Sequence, residues 1–512
     1  MARSDWERRA ILRQAEYDRM AEEVTRNLSR AYNKAARQIF SDVESIIGNF
    51  ANFFGLTKEQ AKELLKANTA PEVLARLQAR VNAMPKGKER LRLQAILSAP
   101  AYAARISRLQ AIETAARVTM AEVATIEVEA DTEALRAVSV EAYNRTLYDV
   151  QRASGYLFTT VGMDKKRTAE ILLQKWSGAY YSDRVWHNTE AVAKLAAQGV
   201  QEMLIAGRAS RETYAAIQAA TTHGEFAANR LLRTEYNYVS GQAELLSYED
   251  AAVEKYRYIA VLDGRTSEIC RDLDGQVFLV KERQVGVNMH PMHPWCRSST
   301  APVLSSDTRA MEKRWARDPV TGEEMKVPAD MTYREWERKM KELRGADAVA
   351  ASEKKIRNAA ADREQWINYK DRLGRKKAPA SLAEFQDLKY NNVGEYTSLK
   401  KSYRTIGELQ GKPWNDAFKE AAVNAYWDAK ENGMEFSSHA VARFLDRVKS
   451  EGYDSPMDRV TTMMKKGANY SQGADRVIRY YEELAIVTDR QNGDIVTFMN
   501  RKKPKKEWEE IK

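Results

Sequence analysis

The chain has 512 residues and a formal net charge of +10; 44% of its residues are apolar and 30% are charged. This length exceeds what one hydrophobic core normally holds, so we expect two to four domains. The opening segment is charged throughout and no run of about 18 residues is apolar, so the sequence predicts neither a signal peptide nor a membrane segment. The basic balance favours a polyanionic partner. Two cysteines exclude a disulfide framework and favour a reducing cytoplasm as the first location.

The first half of the chain is predicted to be helical. Residues 1–150 are rich in Ala, Arg, Glu and Leu and poor in Gly, which indicates a long helical N-terminal region. Prolines bracket the segment 70–100 and predict a helix–turn–helix step there. Residues 151–255 continue as helices, with breaks predicted at 176–186 and at 206–210.

The pattern changes at residue 256. The run "YRYIAVLD" alternates apolar and polar residues as a strand does, turns at Asp263-Gly264, and is followed by the strand-like run "GQVFLV". We therefore expect a small α+β module over residues 256–305. The polar sequence after it, with widely spaced tryptophans, predicts a partly solvated helical connector over residues 306–410.

Residues 411–512 predict a separate α+β domain. Helices are expected from Trp414 to Lys430, after "SSH", and from Pro456 to Gly467. The runs "RVIRYY", "LAIVTD" and "DIVTFM" then predict an antiparallel meander, in which Asn492-Gly493 favours a two-residue hairpin. The basic tail "RKKPKKEWEEIK" is expected to be flexible. The predicted fold class is thus mainly α and multi-domain.

Both cysteines and two of the five histidines lie close together in the sequence. Cys270 follows the first predicted strand and turn, and His290, His293 and Cys296 follow at three-residue spacings in a proline-containing loop. Thiolates and imidazoles are the ligands of tetrahedral zinc sites, and short loops often supply two or three of them. The clustering of such scarce residues predicts a zinc site.

The spacing of this cluster leaves several alternatives open. Asp263 or Asp272 could supply an oxygen ligand in place of one histidine. The two cysteines could instead be small buried hydrophobic residues, or could form a disulfide bond with each other. A metal nuclease centre is a weaker alternative, because no histidine base lies apart from the predicted ligands.

This region resembles the phage head-morphogenesis family, the minor head proteins similar to protein F of phage Mu. The resemblance covers residues 150–400, including the flanks "WSGAYYSDRVWHNT", "RTEYNYVSGQAELLSY" and "RDPVTGEEMKVPADMTYREW". The resemblance is carried by the motif residues Asp263, Arg265, Thr266, Cys270, His293, Cys296 and Arg297, together with Gly264, Ser267, Gly275 and Pro294. Ser298 stands where many members have a further cysteine, and His290 stands where the family often has proline.

The resemblance implies a low-copy component of the virion or procapsid. It implies a location in the head near the portal, after assembly in the host cytoplasm, and a role in DNA packaging or delivery. The implied partners are the portal, capsid and scaffold proteins, and double-stranded DNA contacted through its phosphates. The implied metal is a structural Zn²⁺, held by Cys270, His293 and Cys296, with His290 and Asp263 as further candidate ligands.

The C-terminal histidine suggests a second chemistry. In "HAVARFLDRVKS" the apolar residues share one helical face, while His439, Arg443 and Arg447 lie four apart on the other. Guanidinium groups neutralise phosphate and histidine transfers protons, so the pattern suits a phosphodiester substrate, with Thr497 as a possible hydroxyl donor. The alternative is that the arginines are solvated and the histidine is a helix cap.

Residues 410–500 resemble the barnase/RelE-like ribonuclease domains. The motifs that carry this resemblance are "SSHAVARFLDR" and a meander ending in "DIVTFM". It implies a metal-independent endoribonuclease acting on RNA, with catalytic residues His439, Arg443, Arg447 and Thr497. Two alternatives stay open: a toxin-like effector delivered with the virion, or a non-catalytic module that binds nucleic acid or protein.

Overall fold

A computed structural model describes residues 6–47, 57–98, 107–158, 160, 162–206, 208, 210–304 and 313–511. The chain divides into two compact units, Met1–Ala346 and Asp347–Lys512. Helices dominate both units and the sheets are small and antiparallel, which confirms the predicted mainly α fold. No described helix is long and apolar enough to cross a membrane.

The first unit is built on four long helices. In the described part of the chain before residue 255, the long and short helices together are α1 (Trp6–Ile47), α2 (Lys58–Lys66), α3 (Pro71–Ala83), α4 (Lys88–Ser98), α5 (Arg108–Ser154), α6 (Lys165–Leu172), α7 (Tyr181–Ile205) and α8 (Ser210–Asp250). Helices α1, α5, α7 and α8 pack along one another. Their buried faces are rich in alanine, which lets helix backbones approach closely. One apolar core joins residues 28–228, so the predicted regions 1–150 and 151–255 share it.

A small sheet follows the last long helix. Strands β1 (Lys255–Ile259), β2 (Val277–Leu279) and β3 (Ser299–Val303) form an antiparallel sheet in the order β2-β1-β3. The one-and-a-half-turn helix α9 (Glu268–Leu273) lies between β1 and β2. The two strands predicted after residue 256 are confirmed as β1 and β2, which pair antiparallel. The sequence pattern did not indicate the third strand, β3.

The prediction that helices return directly after residue 305 is wrong for residues 313–328. Strands β4 (Lys313–Arg317) and β5 (Glu324–Pro328) pair as a hairpin before helix α10 (Tyr333–Arg344) begins. The turn between them, "DPVTG", is closed by Asp318, whose carboxylate accepts from two backbone amides at 2.9 and 3.0 Å. The strands are short and polar, so their alternation does not stand out from a polar helix.

The second unit has seven helices among its described residues. They are α11 (Ala346–Arg357), α12 (Ala359–Leu373), α13 (Leu382–Asn391), α14 (Val393–Gln410), α15 (Asp416–Glu431), α16 (Ser438–Arg447) and α17 (Pro456–Lys466). Residues 306–410 were expected to form a partly solvated helical connector, but Tyr369, Phe385 and Ile406 are buried in the same core as the C-terminal helices. These apolar side chains face inward, which composition alone did not reveal.

The C-terminal sheet contains the predicted meander. Strands β6 (Ala468–Gln472), β7 (Arg476–Tyr481), β8 (Leu484–Asp489), β9 (Ile495–Asn500) and β10 (Glu509–Glu510) lie in the order β10-β6-β7-β8-β9. The β8–β9 hairpin is confirmed, but its loop is longer than two residues. At the base of the loop the backbone amide of Asp489 donates a hydrogen bond to the carbonyl oxygen of Asp494, at 2.8 Å. Gly493 within it has a φ of 75°.

The prediction of a flexible tail is wrong for its last residues. Strand β10 pairs with β6, and the Trp508 side chain is 6% exposed, packed beside Ile478, Ala485 and Val487. The tail is basic in its first half only. Its single tryptophan provides enough apolar surface to fix it against the sheet.

Candidate metal centre

Two segments carry the residues of the Cys/His cluster. Helix α9 carries Cys270 on its buried side, and the loop from β2 to β3 carries His293 and Cys296. Ser267 is the N-terminal cap residue of α9, but its side chain makes no capping hydrogen bond. Its hydroxyl instead lies 2.7 Å from His293 Nε2. The cap position thus faces the cluster rather than the helix.

The structure brings together three of the five predicted metal ligands. Ligand atoms of Cys270, His293 and Cys296 all lie within 4.8 Å of one another, so this group could hold a metal ion. Cys270 Sγ lies 3.4 Å from His293 Nε2 and 3.9 Å from Cys296 Sγ. Both thiols are free and 2% exposed, so the two cysteines do not form a disulfide bond here.

The histidine of the cluster has a defined tautomer. His293 Nδ1 donates a hydrogen bond to the carbonyl oxygen of Pro294 at 2.7 Å, so Nε2 is the nitrogen that faces the sulfur atoms. A second hydrogen bond of this kind is typical of metal-binding histidines. Hydrogen bonding to Cys270 raises the pKa of His293, and hydrogen bonding to Cys296 lowers the pKa of Cys270. The arrangement therefore favours a thiolate, the form that binds metals.

Asp263 lies next to the cluster but has other partners. Arg297 donates two hydrogen bonds to its carboxylate, at 2.6 and 2.7 Å. Burial alone would raise the pKa of Asp263, but the hydrogen bonds and charge of Arg297, together with the charge and backbone amide of Arg265, lower it. The backbone amide of Arg265 also donates to this carboxylate, at 2.9 Å. Asp263 thus fixes the turn after β1 and holds Arg297 in place.

His290 also lies outside the three-residue group. Its ring is 1% exposed, and Nδ1 donates to Asn237 Oδ1 at 2.8 Å. Burial lowers the pKa of His290 to about 4, so the ring is neutral at pH 7. Its Nε2 has no hydrogen-bond partner among the described residues. His290 therefore joins the loop to helix α8.

Sequence reasoning missed a buried ion pair beneath the cluster. Asp274 accepts hydrogen bonds from Arg314 at 3.0 and 3.1 Å, and both side chains are at most 2% exposed. Asp274 also accepts from the backbone amides of Ala260, at 2.7 Å, and Tyr333, at 2.8 Å. One carboxylate thus ties β1, β4 and α10 together. Neither residue stands in a recognisable motif, and their positions in the sequence are 40 residues apart.

The second group of predicted site residues lies on helix α16. His439 occupies its first turn, after the cap residue Ser437, which accepts from the amide of Ala440 at 3.1 Å. Burial lowers the pKa of His439, and the positive charges of Arg443, Arg447 and Lys412 lower it further. Lys412 was not predicted to lie here, because it precedes α15 in the sequence.

The arginines of α16 differ in their surroundings. Arg447 donates to the carbonyl oxygen of Phe498 on β9 at 2.9 Å, and its Nε lies 3.5 Å from Asp446. Arg443 lies 3.6 Å from the same carboxylate and is 39% exposed. Thr497 is half-buried on β9, in register with Val487, and precedes the residue that Arg447 contacts. Helix α16 and strand β9 thus lie side by side.

The first unit combines a bundle of long helices with a small sheet that carries a Cys/His group, and this arrangement defines a class: a helical protein with a candidate metal-stabilised module. Residues 192–301 match the family model described as Phage Mu protein F like protein. The matched segment runs from α7 to β3 and includes every candidate metal ligand. The match confirms the resemblance over these residues, which are similar to the phage head-morphogenesis family. No curated protein and no solved structure matches the chain.

Proposed function

We propose that this chain is a minor head protein that acts at the portal in procapsid assembly and in DNA packaging or delivery. The observation that carries the proposal is the family match over residues 192–301. The net charge of +10 agrees with contact to the phosphates of packaged or passing double-stranded DNA. Its protein partners are the portal, capsid and scaffold proteins. It assembles in the host cytoplasm and stays in the virion head.

In this proposal Cys270, His293 and Cys296 hold a structural Zn²⁺. The core around them is small: Tyr258, Ala260 and the two cysteines are its buried apolar residues among those described. A core of this size contributes little stability, so a metal that joins α9 to the loop before β3 replaces missing apolar contacts. Asp263 and His290 support the site through Arg297 and Asn237.

Co-purification from infected or co-expressing cells tests the assembly role. The full chain, tagged at one end, should isolate portal and capsid proteins in stoichiometric amounts from cells that express all of the phage head proteins. Cys296→Ser should weaken this association, while His223→Ala, which replaces an exposed histidine of α8, should not. A full chain that folds and binds zinc but isolates neither portal nor capsid protein would contradict the assembly role.

We further propose that the second unit is a metal-independent endoribonuclease. The observation that favours it is the set of three positive charges, from Lys412, Arg443 and Arg447, that lower the pKa of His439. Cations around a neutral histidine suit an RNA phosphodiester, whose 2′-hydroxyl a neutral imidazole can deprotonate. Arg443 would contact the phosphate, Arg447 would be positioned by β9, and Thr497 would add a hydroxyl.

RNA cleavage by the full chain in the presence of a chelator tests this second role. His439→Ala should lower the cleavage rate by at least about 100-fold, because a general base usually contributes that much. His223→Ala serves as the matched control. A full chain that cleaves no RNA between pH 5 and pH 9 would leave a non-catalytic interaction module as the better account of the second unit.

A further inference from the structure

The Cys/His group supplies three metal ligands, and the described residues offer no fourth His, Cys, Asp or Glu beside them. The group found in the described part of the chain contains Cys270, His293 and Cys296 alone. The nearest carboxylate candidate, Asp263, is held by Arg297 through two hydrogen bonds. A tetrahedral zinc with three protein ligands keeps one position for solvent or another small ligand.

A small pocket lies beside two of the three ligands. Its volume is about 20 Å³, and its lining includes Cys270, His293, Ser267 and Arg265. About 10–15 Å³ of such space holds one water molecule, so the enclosed space accepts a single donor atom and not a phosphate group, and a longer ligand has to extend out of it. The Arg265 side chain is 60% exposed, which places the pocket within reach of solvent.

Two arginines give this pocket a positive surrounding. Arg265 and Arg297 both line it, and Asp263 is the carboxylate that pairs with them. A divalent metal bound by two thiolates and one neutral imidazole carries no net charge. Among these three side chains, two arginines face one carboxylate, and this excess of one positive charge favours an anion over water as the fourth ligand.

Ser267 provides a hydrogen-bonding group at the same place. Its hydroxyl lies 2.7 Å from His293 Nε2 and makes no capping bond to α9. A cap residue normally uses its side chain for the helix amides. A metal bound to His293 Nε2 would displace this hydrogen bond, and the hydroxyl could then donate to a small ligand bound next to His293.

We propose that the metal held by Cys270, His293 and Cys296 keeps its fourth position open, and that a small monovalent anion binds there between Arg265 and Ser267. This inference rests on the proposed metal site and goes beyond a purely structural zinc. A closed structural site would have four protein ligands, whereas this one exchanges its fourth ligand with solvent.

Cobalt substitution tests the inference on the full chain. Co²⁺ replaces Zn²⁺ in such sites, and its visible absorption bands report the ligands it holds. Adding sodium azide to the cobalt-loaded protein should change these bands in a saturable manner. Arg265→Gln should weaken azide binding about five- to tenfold, the effect of one partly solvated charge near the anion. Arg338→Gln is the matched control, because Arg338 is an exposed arginine of α10 that lines no part of the pocket.

The outcomes separate the inference from the metal site itself. A cobalt spectrum that azide leaves unchanged would overturn the open position and leave the metal site standing. A full chain that binds neither cobalt nor zinc would overturn both. X-ray absorption of the zinc protein gives a second measurement: two sulfur and two lighter donors are expected, and the azide-sensitive donor should be one of the lighter pair.

Discussion

Asn237 accepts a hydrogen bond from His290 Nδ1 and donates one to the carbonyl oxygen of Ser298, each at 2.8 Å. Asn237, His290 and Ser298 are all at most 2% exposed. One amide on helix α8 therefore holds the loop at two points, one on each side of the candidate ligands His293 and Cys296. These contacts fix the loop, and with it the candidate ligands, against helix α8.

Replacing Asn237 should loosen the loop. Asn237→Ala leaves the His290 Nδ1–H and the Ser298 carbonyl without partners, and we expect it to destabilise the first unit by about 2–4 kcal/mol. Urea denaturation measures the stability, and hydrogen exchange measures protection of the loop amides. Asn33→Ala, at an exposed position of α1, is the control. Unchanged exchange in the loop of the Asn237 variant would contradict the link.

Gly241 marks where the histidine ring meets the helix. A Cβ added there would lie 2.5 Å from His290 Cε1 and 2.8 Å from Met289 Cε. Gly241→Ala should therefore destabilise the protein, although alanine is favoured over glycine by about 1 kcal/mol within a helix. The ring cannot withdraw, because its Nδ1 is bonded to Asn237.

A double-mutant cycle isolates this contact. In a His290→Ala background the ring is absent and the Met289 side chain is flexible, so Gly241→Ala should cost less than in the wild-type protein. Thermal denaturation of the four proteins provides the measurement. Equal costs in both backgrounds would mean that the close approach of Gly241 to His290 does not limit the substitution.

The sequence predicted the type of most elements, because long amphipathic helices and hairpins leave clear local patterns. It also predicted that Cys270, His293 and Cys296 would lie together, since these residue types are scarce. The sequence did not distinguish these three candidate ligands from the neighbouring residues Asp263 and His290. Asp263 and His290 have suitable chemistry and spacing, and only tertiary contacts show that Arg297 and Asn237 occupy them.

Other parts depend on contacts that are distant in sequence. Arg314 on β4 donates a hydrogen bond to Asp274, and no local sequence pattern predicts this contact. Trp508 looked like part of a solvated tail, because its neighbours are charged, yet it packs against a sheet formed earlier in the chain. Local composition describes the average surroundings of a segment, while one buried aromatic side chain decides its position.

Metal removal should expose the two thiols. Elemental analysis of the purified full chain should give near one zinc per molecule, and Cys296→Ser should reduce this strongly. A chelator should speed the reaction of Cys270 and Cys296 with a thiol reagent, because the metal no longer holds the loop closed over them. His223→Ala is the control. Thiols that react equally fast with and without zinc would count against coordination.

Trp508 should stabilise the second unit. Its ring packs beside Ile478 and Val487, and its Nε1 donates to Gln472 Oε1 at 3.3 Å. Trp508→Ala removes a buried aromatic side chain, with an expected loss of about 3 kcal/mol or more. Limited proteolysis should then cut between residues 501 and 511. Lys502→Ala, at an exposed position of the same segment, is the control; similar proteolysis of both variants would contradict the packing.

Glu127 makes the stability of the first unit depend on pH. Its side chain on α5 is buried, and Tyr32 of α1 donates a hydrogen bond to it at 2.9 Å. Burial raises the pKa of Glu127 to about 7, and the bond from Tyr32 offsets only part of this effect. The folded protein therefore holds the proton to higher pH than the unfolded chain, whose carboxyl titrates near 4.5.

The sign of the effect follows from this difference. Between pH 4.5 and about 7 the unfolded chain releases the proton first, so stability falls as the pH rises, and above pH 7 the penalty is constant. Glu127→Gln removes the ionisation and still accepts from Tyr32. We expect this variant to be more stable than the wild type by up to about 3 kcal/mol at pH 8 and similar to it at pH 5.

Urea denaturation at both pH values measures the difference in unfolding free energy between variant and wild type. Glu129→Gln, at an exposed position of the same helix, is the control. A difference of the same size at pH 5 and pH 8 would rule out Glu127 as the source, because only a titrating group changes its contribution between them.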